Sequence, residues 1–458
     1  MDVKAGSIDD RAVHWTSNAR SVKSNSVLDP ISEDGLAESF CVAHPRLRYV
    51  AAWGQWMAWT GTQWDAERTL GVFDLIRTHV RLVTDRDPDW SKASVVSAVE
   101  RLAKADRKYA ATVDQWDVDD MQLNTPTGIV DLSTGKVLPS DPLAYLTKQT
   151  GTAIGGGCPT WLKFLSEVTN GDQQYIAFLQ RGAGYCATGS TQEHALFFLW
   201  GSGGNGKGVF LNTLVRVLGD YAVTASMETF TESTNDRHPT DLAMLRGARL
   251  VVAQETEEGR SWAESRIKAI TGGDPITARF MKQDFFTFQP KFKLVIAGNH
   301  KPRLRNVDEA MRRRLHLLPF TQSFNGVKRD PRLSESLMAE SGGILQWILD
   351  GALAYQREGL APPPVVTQAT STYFEAENLF EQWLTDCCEV GTTRWERPST
   401  LFNSWKRYAE AANIKPGNQN SFADRLENAG FVAGNSSARG GRYRDGLSLK
   451  SDQTAQSH

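Results

Sequence analysis

The sequence predicts an α/β protein centred on a parallel sheet, and three stretches carry that prediction. Ala195–Trp200 is a run of six apolar residues, the pattern of a strand buried on both faces. It runs into a glycine-rich turn and then Val209–Leu218, whose apolar spacing is helical. Two further short apolar strands, Leu250–Ala253 and Phe292–Ala297, end in polar residues.

The turn reads Gly201-Ser-Gly-Gly-Asn-Gly-Lys-Gly208. Strand, Gly-x4-Gly-Lys loop and helix is the phosphate-binding arrangement of P-loop NTPases. Without Cβ atoms the backbone can curl until successive N–H groups face one anion, and the helix N-terminus adds partial positive charge. Gly201, Ser202, Gly203, Gly204, Asn205, Gly206, Lys207, Gly208 and Val209 are the candidate nucleotide-binding residues, with Lys207 reaching the β- and γ-phosphates. ATP and Mg²⁺ are the expected cofactors. A Ser or Thr whose hydroxyl binds Mg²⁺ usually follows the lysine; here Gly208 does, so nucleotide binding is a firmer inference than fast hydrolysis.

Catalytic candidates follow from strand ends. Ligands and attacking water gather beyond the carboxyl ends of parallel strands. Glu255, which with Gln254 ends the strand Leu250–Ala253, is the first choice for polarising water and holding the metal, and Glu257 the second. Two adjacent acids usually share this post; Gln254 replaces the first. Asn299, at the tip of the third strand, suits the γ-phosphate or lytic water, against a plain turn residue. Arg312-Arg-Arg314 precedes another apolar strand. In a ring, one arginine of this trio can stabilise transition-state charge on a neighbouring subunit's nucleotide; the alternative is a solvated basic surface or contact to a phosphodiester.

Composition sets limits. The 458 residues carry a formal charge of −2, so any nucleic-acid site must be local. No run of about 18 apolar residues is present, and the N-terminus lacks a signal-peptide core. The five scattered cysteines show no C-x-x-C spacing and fit a reducing cytoplasm without a zinc site.

Along the chain, residues 1–38 read as a flexible leader. Tyr49–Trp64, with turns at Gly54 and Gly61, reads as a β-hairpin or meander whose four tryptophans form a core or stack bases. Thr69–Asp85 and Lys92–Ala110 read as amphipathic helices, and Leu123–Gly135 as a second hairpin. A glycine-rich linker around residues 155–157 precedes helical spacing over Trp161–Thr188. Helices are expected through Gly342–Arg357 and Phe374–Cys388, separated by Pro362–Pro364. Two more, from Leu401 and Ser421, then precede a basic turn at Arg439–Arg442. From Arg279 to Arg314 there are ten Lys/Arg and three Asp/Glu.

With Lys207, Glu255, Asn299 in Ile-Ala-Gly-Asn-His-Lys-Pro, and Arg313-Arg314 in compact order, the chain resembles the superfamily 3 helicases. It is most similar to the helicase module of phage and plasmid primase–helicases and the poxvirus replicative NTPase. The resemblance implies an AAA+-like core in a homo-hexameric ring, moving 3′→5′ on single-stranded or forked DNA. It places 39–150 as an N-terminal α/β accessory domain and 151–190 as a helical collar. The helicase core is 191–325, a helical lid 326–370, a winged-helix-like domain 371–450 and a tail 451–458. In such proteins a basic β-hairpin enters the ring channel, here flanking Phe280–Asp284, with Lys282 at the tip and Lys268 and Arg279 beside it. Phe285, Phe286 and Phe288 are expected to pack rather than stack on bases. Arg439, Arg442 and Arg444 are expected to grip duplex or to be solvated. About forty residues precede the accessory domain, so no primer synthesis by this chain is expected, and a separate primase is a possible partner. The expected location is the cytoplasm of a bacterial host or virus-infected cell. The competing reading is an ATP-gated ring that recognises or melts an origin with little processive unwinding.

Overall fold

The computed structural model describes residues 31–232, 240–254, 262–280, 284–301, 308–324, 330–412, 414–439 and 441–450. The chain divides into two units. The first takes the described residues up to 119 with 124–130 and 137–149; the second takes 120–123, 131–136 and everything from 150.

The first unit begins earlier than expected. Glu33–Ala43 is a helix, capped by the Ser32 hydroxyl accepting from Gly35 N–H, with Glu33 and Asp34 favourably placed in its first turn. Leu36, Ala37, Phe40 and Cys41 lie on its buried face, so residues 33–38 are core-forming rather than leader. Helices Gly71–Val83 and Ala93–Ala105 pack into the same core. Leu47–Val50, Gln55–Trp59 and Trp64–Ala66 form the antiparallel meander. Trp56, Trp59 and Trp64 are buried, and Trp64 donates to Pro142 O at 2.8 Å. These three indoles are core, which excludes them as stacking platforms for bases.

The second unit is built on a five-stranded parallel sheet. Its order is Leu315–Pro319, Leu196–Trp200, Lys293–Gly298, Leu250–Gln254, Ala222–Ala225. Strand residues alternate between two covered faces. Leu196, Phe198, Leu294, Ile296, Leu315 and Leu317 join Trp262, Ile267, Tyr373 and Phe374 on one face. Phe197 turns to the other, where Phe178 of helix Gln173–Ala187 meets it edge-on. All five carboxyl ends therefore lie along one edge, and the glycine loop leaves from there.

His316 lies between the rings of Phe178 and Phe197, and burial lowers its pKa from 6.5 to about 4. The unfolded chain binds this proton where the fold does not, so the neutral ring's contribution is complete above pH 6.5 and is lost as pH falls toward 4. Over that whole window the loss amounts to roughly 3 kcal/mol. Calorimetry of His316→Phe is expected to show a shallower loss of melting temperature between pH 7 and pH 5 than wild type. Equal slopes would remove His316 as its source.

Two expectations are corrected toward the C-terminus. The helix expected over Phe374–Cys388 spans Pro364–Cys387, beginning at the last proline because proline is tolerated in a first turn. The expected boundary between 370 and 371 therefore falls inside a helix. Beyond it, helices Pro398–Ala411 and Gln419–Asn428 pack on a three-stranded antiparallel sheet ordered Cys388–Glu396, Gly441–Leu449, Ala433–Ser436. The first of these strands was not expected. Arg444 is buried and donates to Phe431 O and Ala423 O, each at 3.1 Å, so it holds the module together and does not face duplex. Among the described residues no helix is long and apolar enough to cross a membrane.

Candidate functional site

The glycine loop is shaped by close approach. A Cβ at Gly201 would lie 2.0 Å from Phe320 O, and one at Gly206 2.7 Å from Val168 Cγ1; both glycines also have positive φ. Asn205, buried, donates to Phe320 O at 2.8 Å, and Phe324 N–H donates to Gly204 O at 2.8 Å. The segment leaving the strand Leu315–Pro319 thus straps the loop in place. Asn205 was expected only as a loop residue; this anchoring role depends on a partner 115 positions away.

Lys207 opens helix Lys207–Leu218, capped by Gly206. Its ammonium donates to Gly201 O, to Asn205 Oδ1 at 3.2 Å and to Asn299 Oδ1 at 3.3 Å. Burial pushes its pKa below the usual lysine value. The strands that lead into these two residues, Leu196–Trp200 and Lys293–Gly298, are neighbours in register, Gly298 opposite Trp200, which brings together residues 92 apart. Gln254 pairs with Ala297 on the far side of the same strand, so the strand Leu250–Gln254 ends at this same edge. Glu255 and Glu257 lie outside the described residues. A Cβ at Gly208 would meet nothing within 4 Å, leaving room there for water or a hydroxyl.

The arginine trio divides by environment. Arg312 lies over the Phe374 ring, 5.1 Å from its centroid. Arg314 is 7% exposed and donates to Thr271 Oγ1 at 3.2 Å and Ala310 O at 2.8 Å. Arg313 is exposed. Lys268 forms an ion pair with Asp308, whose other oxygen caps helix Glu309–Arg312 through Met311 N–H. It is therefore engaged within the chain.

Lys301 was missed from sequence. It lies 4.8 Å from the Trp200 ring centroid, and burial lowers its pKa. With Val168, Asn170, Pro319, Gln322 and Gln368 it borders a cavity of about 430 Å³ beside the loop strand. An isolated lysine in Asn-His-Lys-Pro carries no periodic signal.

The hairpin consists of Ile276–Ala278 and Phe286–Phe288, antiparallel with Ala278 opposite Phe286. Phe286 packs between Phe280 and Phe288. Phe285, expected to pack, is 60% exposed with the Arg279 guanidinium over its ring. Lys282 lies outside the described residues. In the C-terminal sheet Arg439 pairs with Asp445 at 2.6 Å and covers Tyr443, while Arg442 is exposed.

The family described as D5 N terminal like matches residues 36–170, and a family of unknown function (DUF5906) matches residues 199–314. "Putative helicase L207/L206" of Acanthamoeba polyphaga mimivirus is 29% identical over 220 residues, 44% of this chain and 23% of that protein. "Putative helicase 022R" of Frog virus 3 (isolate Goorha) is 25% identical over 257 residues, 51% of this chain and 26% of that one. The chain spans about a quarter of the length of these two relatives. The fold is similar to that of the apo NrS-1 C-terminal region, with TM-score 0.51, 9% identity and 88% of each chain covered. With a D5-type N-terminal region ahead of a parallel-sheet core that carries the glycine loop, and relatives named as putative helicases, the chain is similar to the D5-like superfamily 3 helicase/primase proteins.

Proposed function

We propose that this chain is an NTP-driven DNA helicase motor that works in replication, acting as a homo-hexameric ring on single-stranded and forked DNA with 3′→5′ movement. The observation that carries the reading is the meeting of Lys207 and Asn299 at the glycine loop. A cation on the phosphate loop and an amide on the adjacent strand suit a triphosphate whose terminal group is polarised for attack. The cradle closed against side chains at Gly201 and Gly206 fits phosphates. Mg²⁺, when bound with the nucleotide, would neutralise charge on its β- and γ-oxygens, with Glu255 as the protein's contribution. Arg313, exposed, is the trans-acting arginine; Arg314 supports it from within. Lys282 and Arg279 on the hairpin, and Arg442 on a winged-helix-like C-terminal module, provide contacts to DNA phosphates, with Arg439, paired with Asp445, ordering the turn beside Arg442.

A forked-duplex unwinding assay tests the reading. Wild type is expected to unwind with ATP, and Glu255→Gln to lose unwinding while keeping ATP binding. Equal behaviour of the two proteins would refute Glu255 as the water-polarising acid.

One observation favours the second reading, an ATP-gated ring that melts an origin with little processive unwinding. Gly208 offers the metal no hydroxyl, which suits slow turnover. Because the position has room, Gly208→Thr is expected to tighten Mg²⁺-dependent nucleotide binding several-fold, measured by titration with and without the metal. An unchanged metal dependence would show that another group already takes that place.

A further inference from the structure

The hairpin between the two central motifs has two unlike faces. Ile276 and Ala278 are buried, and Phe286 and Phe288 half-buried, on one face. Arg246 closes that side, its guanidinium 5.3 Å from the Phe286 centroid. By the two-residue alternation of strands, Thr277, Arg279, Phe285 and Thr287 belong to the other. Thr277 and Thr287 are exposed and share a hydrogen bond at 3.2 Å. Beyond them Arg279 lies 4.8 Å from the Phe285 centroid, and Phe285 remains 60% exposed.

A phenyl ring held outward by a guanidinium costs apolar exposure that packing does not recover. Along the sequence the stretch from Arg279 to Arg314 is cationic, with ten Lys/Arg against three Asp/Glu, although Lys293 and Arg314 are buried in the fold. We infer that Phe285, backed by Arg279, is a stacking platform for an unpaired nucleobase, with the threonine hydroxyls directed to the adjoining sugar–phosphate. The occupant is single-stranded nucleic acid, read without sequence preference because every base has a π-face. Aromatic stacking suits a strand already unpaired; in a duplex the base faces are covered by their neighbours. The inference rests on the proposal that this hairpin meets DNA, and it adds a contact to the base where the lysines and arginines contact phosphate.

The test compares a fluorescent oligothymidylate with an equally charged abasic oligomer, using the full chain with a non-hydrolysable ATP analogue. Wild type is expected to bind the base-bearing strand the more tightly. Phe285→Leu is expected to weaken that binding about 5- to 100-fold and leave abasic affinity unchanged, with Phe285→Trp restoring it. Equal affinity of wild type for both oligomers, or no effect of Phe285→Leu, overturns the platform while leaving phosphate binding by the hairpin intact. Failure of wild type to bind either oligomer overturns the underlying DNA proposal itself. Unchanged binding with altered sedimentation of Phe285→Leu would show that a second copy covers the ring, and the platform falls. The exposed position makes misfolding an unsuitable explanation, and a wild-type circular dichroism spectrum checks it.

Discussion

On the proposed function, Lys207→Ala is expected to lower NTP hydrolysis and forked-duplex unwinding by roughly 100-fold or more, because it would remove the cation that meets developing phosphoryl charge. The side chain does more than supply charge. It joins Gly201 O, Asn205 Oδ1 and Asn299 Oδ1, so its removal also releases the loop from the neighbouring strand. Nucleotide affinity is expected to fall together with turnover. In Asn299→Ala the lysine and loop remain, so turnover is expected to fall about 10- to 100-fold with binding largely kept. Phosphate release and equilibrium nucleotide binding on the same preparations separate the two patterns. If Lys207→Ala hydrolyses at the wild-type rate, the glycine loop is not the site of chemistry.

The second large effect divides two adjacent arginines. Arg313→Ala is expected to reduce hydrolysis by about 10³-fold, the scale of an arginine that stabilises transferring phosphoryl charge, without changing the melting temperature. Arg314→Ala is expected to destabilise the fold by about 2 kcal/mol through loss of its bonds to Thr271 and Ala310. Any loss of hydrolysis in Arg314→Ala is expected to follow the loss of folded protein. Mixing Arg313→Ala with Lys207→Ala should restore part of the activity, since one protein's intact loop then meets the other's intact arginine. Two inactive proteins that stay inactive at every mixing ratio, with a monomeric sedimentation coefficient in ATP, would defeat the trans-acting assignment.

Much of the sheet was legible because parallel strands are buried on both faces and read as unbroken apolar runs. Leu196–Trp200, Leu250–Gln254 and Lys293–Gly298 all lie where those runs predict. The glycine loop was equally readable, since its glycines and lysine are adjacent in sequence; the strap from Phe320 and Phe324 that holds it was not. Helix Glu33–Ala43 carries a short apolar face inside a polar stretch, which masked it. Strand Cys388–Glu396 is mostly exposed and lacks a clean alternation; its pairing with Gly441–Leu449 comes from residues far along the chain.

By itself, then, the sequence determined the class of fold, the glycine loop and the order of the apolar strands, because local pattern governs each of them. Only the tertiary structure decided which member of a motif is spent within the chain and which is left outward. Arg314 lies inside and Arg313 outside, Lys268 is held by Asp308, and Phe285 stands exposed beside a packed Phe286. Adjacent residues of like chemistry have indistinguishable local patterns. Their fates are set by partners distant in sequence, such as Thr271 for Arg314, that folding alone brings within hydrogen-bond reach.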